Sequence, residues 1–252
     1  LIALGGDTEG PYHLYFADGS TVTAHKVILA LPHTTLREVD IQHNIWNSFS
    51  AGKQTLIRSL AMASSNKVQL QFDRKFFLDP YTSANGVRVD PNGDIYTDPG
   101  IDTVNCAWDE ATGQYRQNPS DKGLMVCFPS GERAAAMHST GLNVPAHPRD
   151  IDLFTAQLEQ VIPGATASLS GGGSKPATYR ALASNWDRNY WSRGAYASFH
   201  PGQWTSTHGA GQEIVGSNLH FAGEYTDVEN GGFLEGAVTS GERAAREVYR
   251  SL

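Results

Sequence analysis

The stretch HFAGEYTDVENGGFLEGAVTSGERAAREV, His220 to Val248, sets acids and glycines between a short apolar run and a helix rich in small residues. Leu219 to Ala222 is apolar and stops at Gly223, which reads as the end of a buried strand, and Gly231-Gly232 frees the backbone before a helical pattern begins. From Gly236 onward Ala237, Gly241, Ala244, Ala245 and Val248 recur at helical spacing, while Glu242, Arg243, Arg246 and Glu247 face elsewhere. A helix start carries unpaired N–H groups at a positive dipole end, and a glycine there admits an electron-rich group at close range. The chemistry this pattern suits is a cradle for the edge of a cofactor. Spacing alone equally allows a helix packed on a sheet with no ligand.

The elements that must position this segment read as mixed α/β. Tyr12 to Phe16 and Thr21 to Ala24 alternate around the turn Asp18-Gly19, and Lys26 to Leu31 reads as a buried strand closed by Pro32. Gly52 to Ala63 reads as a helix. NKVQLQF, Asn66 to Phe72, alternates with Lys67, Gln69 and Gln71 on one face and Val68, Leu70 and Phe72 on the other. Leu78 to Gly123 is a turn-rich meander, Gly123 to Phe128 a buried strand, and Asp150 caps a helix with the stripe Ile151, Phe154, Leu158, Val161 and Ile162, ended by Pro163-Gly164. SLSGGGSKP is a loop.

Composition bounds the function classes. At 252 residues the chain has ample length for one large or two smaller domains, and a net charge of −7 without a basic cluster leaves nucleic-acid binding no electrostatic footing. No apolar run approaches bilayer-crossing length, so the chain reads as soluble, with the compartment open. Cys106 and Cys127 read as reduced core thiols, and nine scattered histidines, His138, His147 and His200 among them, imply no metal. The opening residues already read as mid-domain, as in the downstream piece of a longer polypeptide.

A second dense segment, NWDRNYWSRGAYASFHPGQW, runs from Asn185 to Trp204. Burial is the expectation for Tyr190, Phe199 and Trp204. Trp186 through SRGAYASF, together with FAGEYTDVENGGFLEGAVTSGERAAREV, resembles the C-terminal part of the flavin-containing amine oxidases, the family of monoamine, polyamine and L-amino-acid oxidases. KVILALP and NKVQLQF stand in that family's order, so the likeness covers essentially the whole chain, weakly in the middle and strongly in the last third. The family's N-terminal strand and GxGxxG turn have no counterpart here.

The resemblance implies a discontinuous FAD-binding domain of the glutathione-reductase-like type, residues 1–56 and 190–252, around a mixed-sheet and helical substrate-binding domain, residues 57–189. It implies that Gly223 and Glu224 lie along the ribityl and pyrophosphate part of FAD, that Gly232, Phe233 and Leu234 bring N–H groups to the flavin's pyrimidine edge, and that Trp186 packs beside the ring. Tyr196 and Phe233 would be aromatic walls flanking the substrate amine, Phe233 standing where monoamine oxidases have tyrosine. Ala195 occupies the position of the cysteine that bonds FAD in those enzymes, so FAD should be non-covalent. Lys67 would hold a water near flavin N5; from the residues alone it reads as a solvated strand lysine.

The implied reaction oxidises a C–N bond, with hydride passing to the flavin, hydrolysis of the imine and release of hydrogen peroxide on reaction with O2. The implied partners are an amine or amino-acid substrate, O2 and a companion N-terminal segment of the same oxidase, with homo-oligomers open. Arg180, Arg188 and Arg193 read as surface groups rather than a carboxylate fork. A desaturase or porphyrinogen-oxidase relative, or a non-catalytic fragment, remains as an alternative.

Overall fold

The computed structural model describes residues 1–76, 81–82, 86, 88–89, 100–103, 107–109, 114–116, 122–171 and 180–252. The chain divides into two compact units, Leu1–Ala63 with Tyr190–Leu252, and Ser64–Asn189. Both are mixed α/β.

The first unit contains β1 (Ala3–Gly6), β2 (Tyr12–Tyr15), β3 (Thr21–Ala24), β4 (Val27–Leu29), α1 (His33–Leu36), β5 (Asp40–Ile41), α2 (His43–Ser48), α3 (Ala51–Ser59) and β6 (Ala61–Met62). The second contains β7 (Lys67–Phe72), β8 (Tyr81–Thr82), β9 (Arg88–Val89), β10 (Gly100–Thr103), β11 (Ala107–Asp109), β12 (Gln114–Arg116), β13 (Gly123–Phe128), α4 (Gly131–Ala135), β14 (Val144–Pro145), α5 (Pro148–Val161) and β15 (Ala181–Ser184). The chain then returns to the first unit with β16 (Ala197–Ser198), α6 (Gln203–Thr207), β17 (Leu219–Phe221) and α7 (Leu234–Arg250).

In the first unit the sheet runs β3-β2-β1-β5, and short pairs join β17 to β4 in parallel and β16 to β6 in antiparallel fashion. The Asp18-Gly19 turn closes the β2–β3 hairpin with Gly19 at φ +85°, where a side chain would be strained. Leu4, Tyr12, Leu29, Ile45, Leu56, Leu219 and Phe221 form this unit's core.

The second unit is built on the antiparallel sheet β10-β13-β7-β15-β14. Alternation along β7 sends Val68, Leu70 and Phe72 into a core shared with Met125, Cys127 and the Ile151, Phe154 and Leu158 face of α5. Each such side chain contributes about 1.5–3 kcal/mol on burial. Most of the expected meander, Cys106 and residues 172–179 of the glycine-rich loop lie outside the described residues.

Several expected boundaries move. The helix expected over Gly52 to Ala63 spans Ala51–Ser59; Leu60 turns extended and is buried, and Ala61–Met62 pairs with Ala197–Ser198 instead. The strand expected over Lys26 to Leu31 shortens to Val27–Leu29 with Ile28 exposed, because its partner β17 is three residues long and pairs with those positions alone. Asp150 is not a cap. His147 takes that position, with its ring accepting from the Arg149 N–H, and Pro148 opens α5. Asp150 is buried instead and accepts from the N–H groups of His138 (3.0 Å) and Ser139 (2.8 Å) and from the Ser139 hydroxyl (2.6 Å).

Burial opposes the charge on Asp150, but those donors outweigh it and hold its pKa below the ordinary carboxylate value. A depressed folded-state pKa means stabilisation that is present above the unfolded value, about 3.9, and is lost as pH falls through the folded one. Asp150→Asn is therefore expected to lower stability by about 1–3 kcal/mol at pH 7. The gap from wild type should begin to narrow below about pH 4 and go on narrowing as pH falls further, measured by urea unfolding at pH 7 and at successively lower pH.

Candidate functional site

The site grows from the end of β17. Leu219, His220 and Phe221 are buried, and the chain leaves the strand at Gly223, whose φ of +127° and crowding by the Tyr225 ring, 3.0 Å from a notional Cβ, require glycine. Glu224 follows in a tight helical turn, Glu224–Thr226. One oxygen of its carboxylate accepts from the Ala197 N–H at 2.9 Å, and the other from the Gly232 N–H at 2.7 Å. One acid thus ties the strand after Tyr196 to the turn before Phe233.

The neighbouring acid folds the loop itself. Asp227 accepts from the N–H groups of Glu229 (3.0 Å) and Asn230 (2.6 Å) and from the Thr239 hydroxyl (2.5 Å). Burial opposes its charge, but these donors prevail and lower its pKa. Gly236 packs so near the Asn230 carbonyl that a Cβ would lie 2.2 Å from that oxygen. The buried face of α7 is therefore Gly236, Ser240 and Ala244, with the Ser240 hydroxyl accepting from the Gly223 N–H at 3.0 Å. Ala237 and Ala245, expected on that face, are exposed. The close approach at Gly236 and the serine bonded to backbone both lie on the face that is buried.

Tyr196 is carried by a strand that only glycine permits. Gly194, at φ +126°, would place a Cβ 2.5 Å from that of Met62, and the Ala195 and Tyr196 backbone bonds Ala63 on both sides, at 3.0 and 2.7 Å. The Tyr196 ring lies against Gly232, where a Cβ would sit 3.1 Å from Cδ2. Tyr196 is 47 % exposed, Phe233 71 % and Leu234 89 %. Ala195, Tyr196, Gly223, Glu224, Gly232, Phe233 and Leu234 thus belong to one locality of the first unit.

Two expected donors are already used. The Gly232 N–H is bound by Glu224 and the Phe233 N–H by the Asn230 carbonyl at 3.1 Å, so neither is free for a ligand. Leu234 opens α7, and no intrahelical carbonyl reaches its N–H. Glu224 likewise spends both oxygens within the chain.

Lys67 and Trp186 belong to the second unit. Lys67 opens β7 on its half-exposed face, with Nζ 4.9 Å from the Phe128 ring centroid. Its strand partner is Ser184 in β15, and Trp186 follows two residues later, half-buried. Buried Asn66 joins the two: its side-chain oxygen accepts from the Trp186 N–H at 2.7 Å, and its amide donates to the Ala134 carbonyl and to Asp187. A lone asparagine before a strand offers no sequence signal of such a junction.

Other expectations resolve differently. Tyr190 and Trp204 are exposed, at 66 % and 43 %, rather than buried. They lie against neighbouring rings instead, Tyr190 edge-on to Trp191 and Trp204 edge-on to half-buried Phe199. Arg180 and Arg188 are exposed, and Arg193 forms a two-point ion pair with Glu38. His138 and His147 stack on one another at the surface, and His200 is exposed.

Lys53, on the inner face of α3, was not anticipated, because helical periodicity marks a lysine as solvated. It is buried, donates to the Gly211 carbonyl at 2.9 Å and lies 3.5 Å from the centroid of Phe221 in β17. Burial pushes its pKa down to about 7 against the opposing pull of Glu213.

A buried strand that ends in a glycine and an acid and feeds a close-packed helix gives this unit a mixed α/β build. The profile of the family described as flavin containing amine oxidoreductase matches residues 2–249, and the chain belongs to that family. The family's cofactor is FAD. A flavin-containing amine oxidase of Oncorhynchus mykiss is 49 % identical over 69 residues, which are 27 % of this chain and 13 % of that protein. An L-amino acid dehydrogenase of Synechocystis sp. is 25 % identical over 202 residues, 79 % of this chain and 36 % of that protein. The solved structure of wild-type putrescine oxidase bound to putrescine superposes with a TM-score of 0.70 at 20 % identity, over 99 % of this chain and 48 % of its own. The chain therefore spans about half or less of the proteins it matches.

Replacing Glu224 with Gln keeps the shape but sets an amide NH2 against one of two N–H donors. Amide hydrogen exchange at Ala197 or Gly232 is expected to accelerate tenfold or more, a loss of about 1–3 kcal/mol in local stability, while the β7–β13 amides stay unchanged. For Lys53, a folded-state pKa near 7 against about 10.4 unfolded means that the unfolded chain binds the extra proton between those values, so stability rises with pH across that window. Lys53→Met should remove this rise, as read from thermal midpoints between pH 7 and 10.

Proposed function

We propose that the chain is the downstream part of an FAD-dependent amine oxidase that oxidises the C–N bond of an amine to an imine. The observation that carries this reading is the Glu224 carboxylate, which fixes the Tyr196 strand and the Gly232–Phe233 turn to one another with both rings left exposed. A glycine-built cradle beside the start of α7, with the Leu234 N–H open, fits a flavin edge. Bound FAD would supply the hydride acceptor and the centre that reacts with O2 to give hydrogen peroxide. Ala195 has no nucleophilic atom, which supports non-covalent binding.

The division of the chain supports a discontinuous FAD-binding domain of the glutathione-reductase-like type in the first unit and a substrate domain in the second. No GxGxxG turn occurs in the sequence, so a companion N-terminal segment of the oxidase supplies the pyrophosphate site. The faces of Tyr196 and Phe233 flank and orient a neutral amine. Trp186 flanks the flavin. Lys67 donates from Nζ to a water that serves imine hydrolysis or oxygen reaction.

A second reading, oxidation of an L-amino acid, is favoured by the long match to the Synechocystis dehydrogenase. The pairing of Arg193 with Glu38 removes one candidate for a carboxylate fork, and an unfunctionalised amine leads. Anaerobic bleaching of the flavin in the full-length enzyme by monoamines, polyamines and L-amino acids separates the two readings, with peroxide release in air reporting reaction with O2; bleaching by none of them overturns both.

Lys67→Met keeps the stem and removes the charge and the donors. In the full-length enzyme, flavin reduction, reoxidation or both are expected to slow by roughly ten- to a thousandfold with amine affinity little changed, as read by stopped-flow absorbance. Unchanged rates in both half-reactions would leave Lys67 a surface residue.

A further inference from the structure

A cavity of about 280 Å³ opens between α2, α3 and β5 in the first unit, away from every residue assigned above. Trp46 and Arg58 line it together, the guanidinium carbon 4.8 Å from the ring centroid. Arg37 reaches it from another side, fixed in place by bonds from Nε to the Ile57 carbonyl (2.7 Å) and from Nη2 to the Leu60 carbonyl (2.8 Å). Asp40 adds one exposed carboxylate, and Val39 and Ile41 add apolar wall. Among the described residues no carboxylate pairs with Arg58.

Two guanidinium groups against one lining carboxylate, with nearby Glu38 already ion-paired to Arg193, leave the cavity net positive, with an indole face beside the charge. A carboxylate suits the arginines, since guanidinium donors match its two oxygens. An ammonium suits Asp40, and an apolar side chain suits Trp46, Val39 and Ile41. Ligand pockets commonly run from roughly 300 Å³ upward, and at about 280 Å³ this one has room for a molecule of amino-acid size. We propose that this cavity is a binding site for a free α-amino acid with an aromatic or branched side chain, held by Arg37 and Arg58 at its carboxylate and by Asp40 at its ammonium.

The test labels the full-length protein with 5-fluorotryptophan and follows the ¹⁹F resonance of Trp46, identified by its loss in Trp46→Phe, under anaerobic conditions so that nothing is turned over. L-phenylalanine is expected to shift that resonance saturably, 3-phenylpropionate to shift it at higher concentration, and phenethylamine, which lacks the carboxylate, to leave it in place. Arg58→Gln should weaken the L-phenylalanine response tenfold or more, and Asp40→Asn should abolish the preference over 3-phenylpropionate. Arg37 is left intact because its carbonyl bonds hold the end of α3. A Trp46 resonance unmoved by L-phenylalanine, moved equally by phenethylamine, or unaffected by either substitution in its response overturns the proposal. The signal is local to Trp46, so its outcome is independent of whether the enzyme oxidises amines or amino acids.

Discussion

The two-sided acceptance at Glu224 is the constraint on which the rest of the site depends. A carboxylate bonded to two backbone N–H groups gains about 1.5–3 kcal/mol from each, and here the two lie far apart in sequence, at Ala197 and Gly232. The Tyr196 ring lying against Gly232 adds a second contact between the same two segments. The surrounding residues serve that brace. Asp227 folds the intervening loop, Gly236 lets the loop close on α7, and Ser240 anchors Gly223 from behind. The acids of this segment hold backbone in place.

Behind β17 lies a second layer of buried and half-buried polar groups that hold the strand. Arg243 donates to the Phe221 carbonyl and the Thr226 hydroxyl and pairs with Glu247, which also meets buried His220. Lys53 covers the Phe221 ring from the other element. Such groups are costly to bury and even costlier to strand without partners, so they specify one arrangement of β17, α3 and α7. His33 is a contrasting case. Buried edge-on against Tyr225, it has neither ring nitrogen hydrogen-bonded, and burial lowers its pKa to about 4, so it is neutral at physiological pH.

How much was legible depended on whether the signal was local. The alternation of β7, the apolar run of β13, the Asp18-Gly19 hairpin and the α5 stripe all follow from side-chain periodicity and turn chemistry, and the structure places them accordingly. The end of α3 was not legible, because Ala61 and Met62 answer to a strand well over a hundred residues away. Lys53, Asn66 and Asp150 were misread or passed over for the same reason. Each is polar in sequence and buried in fact, its partners contributed by distant segments.

By itself the sequence determined the mixed α/β character, the strand–loop–helix order around Gly223 and Gly232, and the family to which those motifs point. These rest on local backbone preferences and on residue types that a short window displays. Only the tertiary structure decided which N–H groups stay open, which face of α7 is buried, and that Glu224 binds backbone on both sides. Those outcomes depend on donors and acceptors meeting across long stretches of chain, and the pairing of a buried polar group is a property of its surroundings in space rather than of its neighbours in sequence.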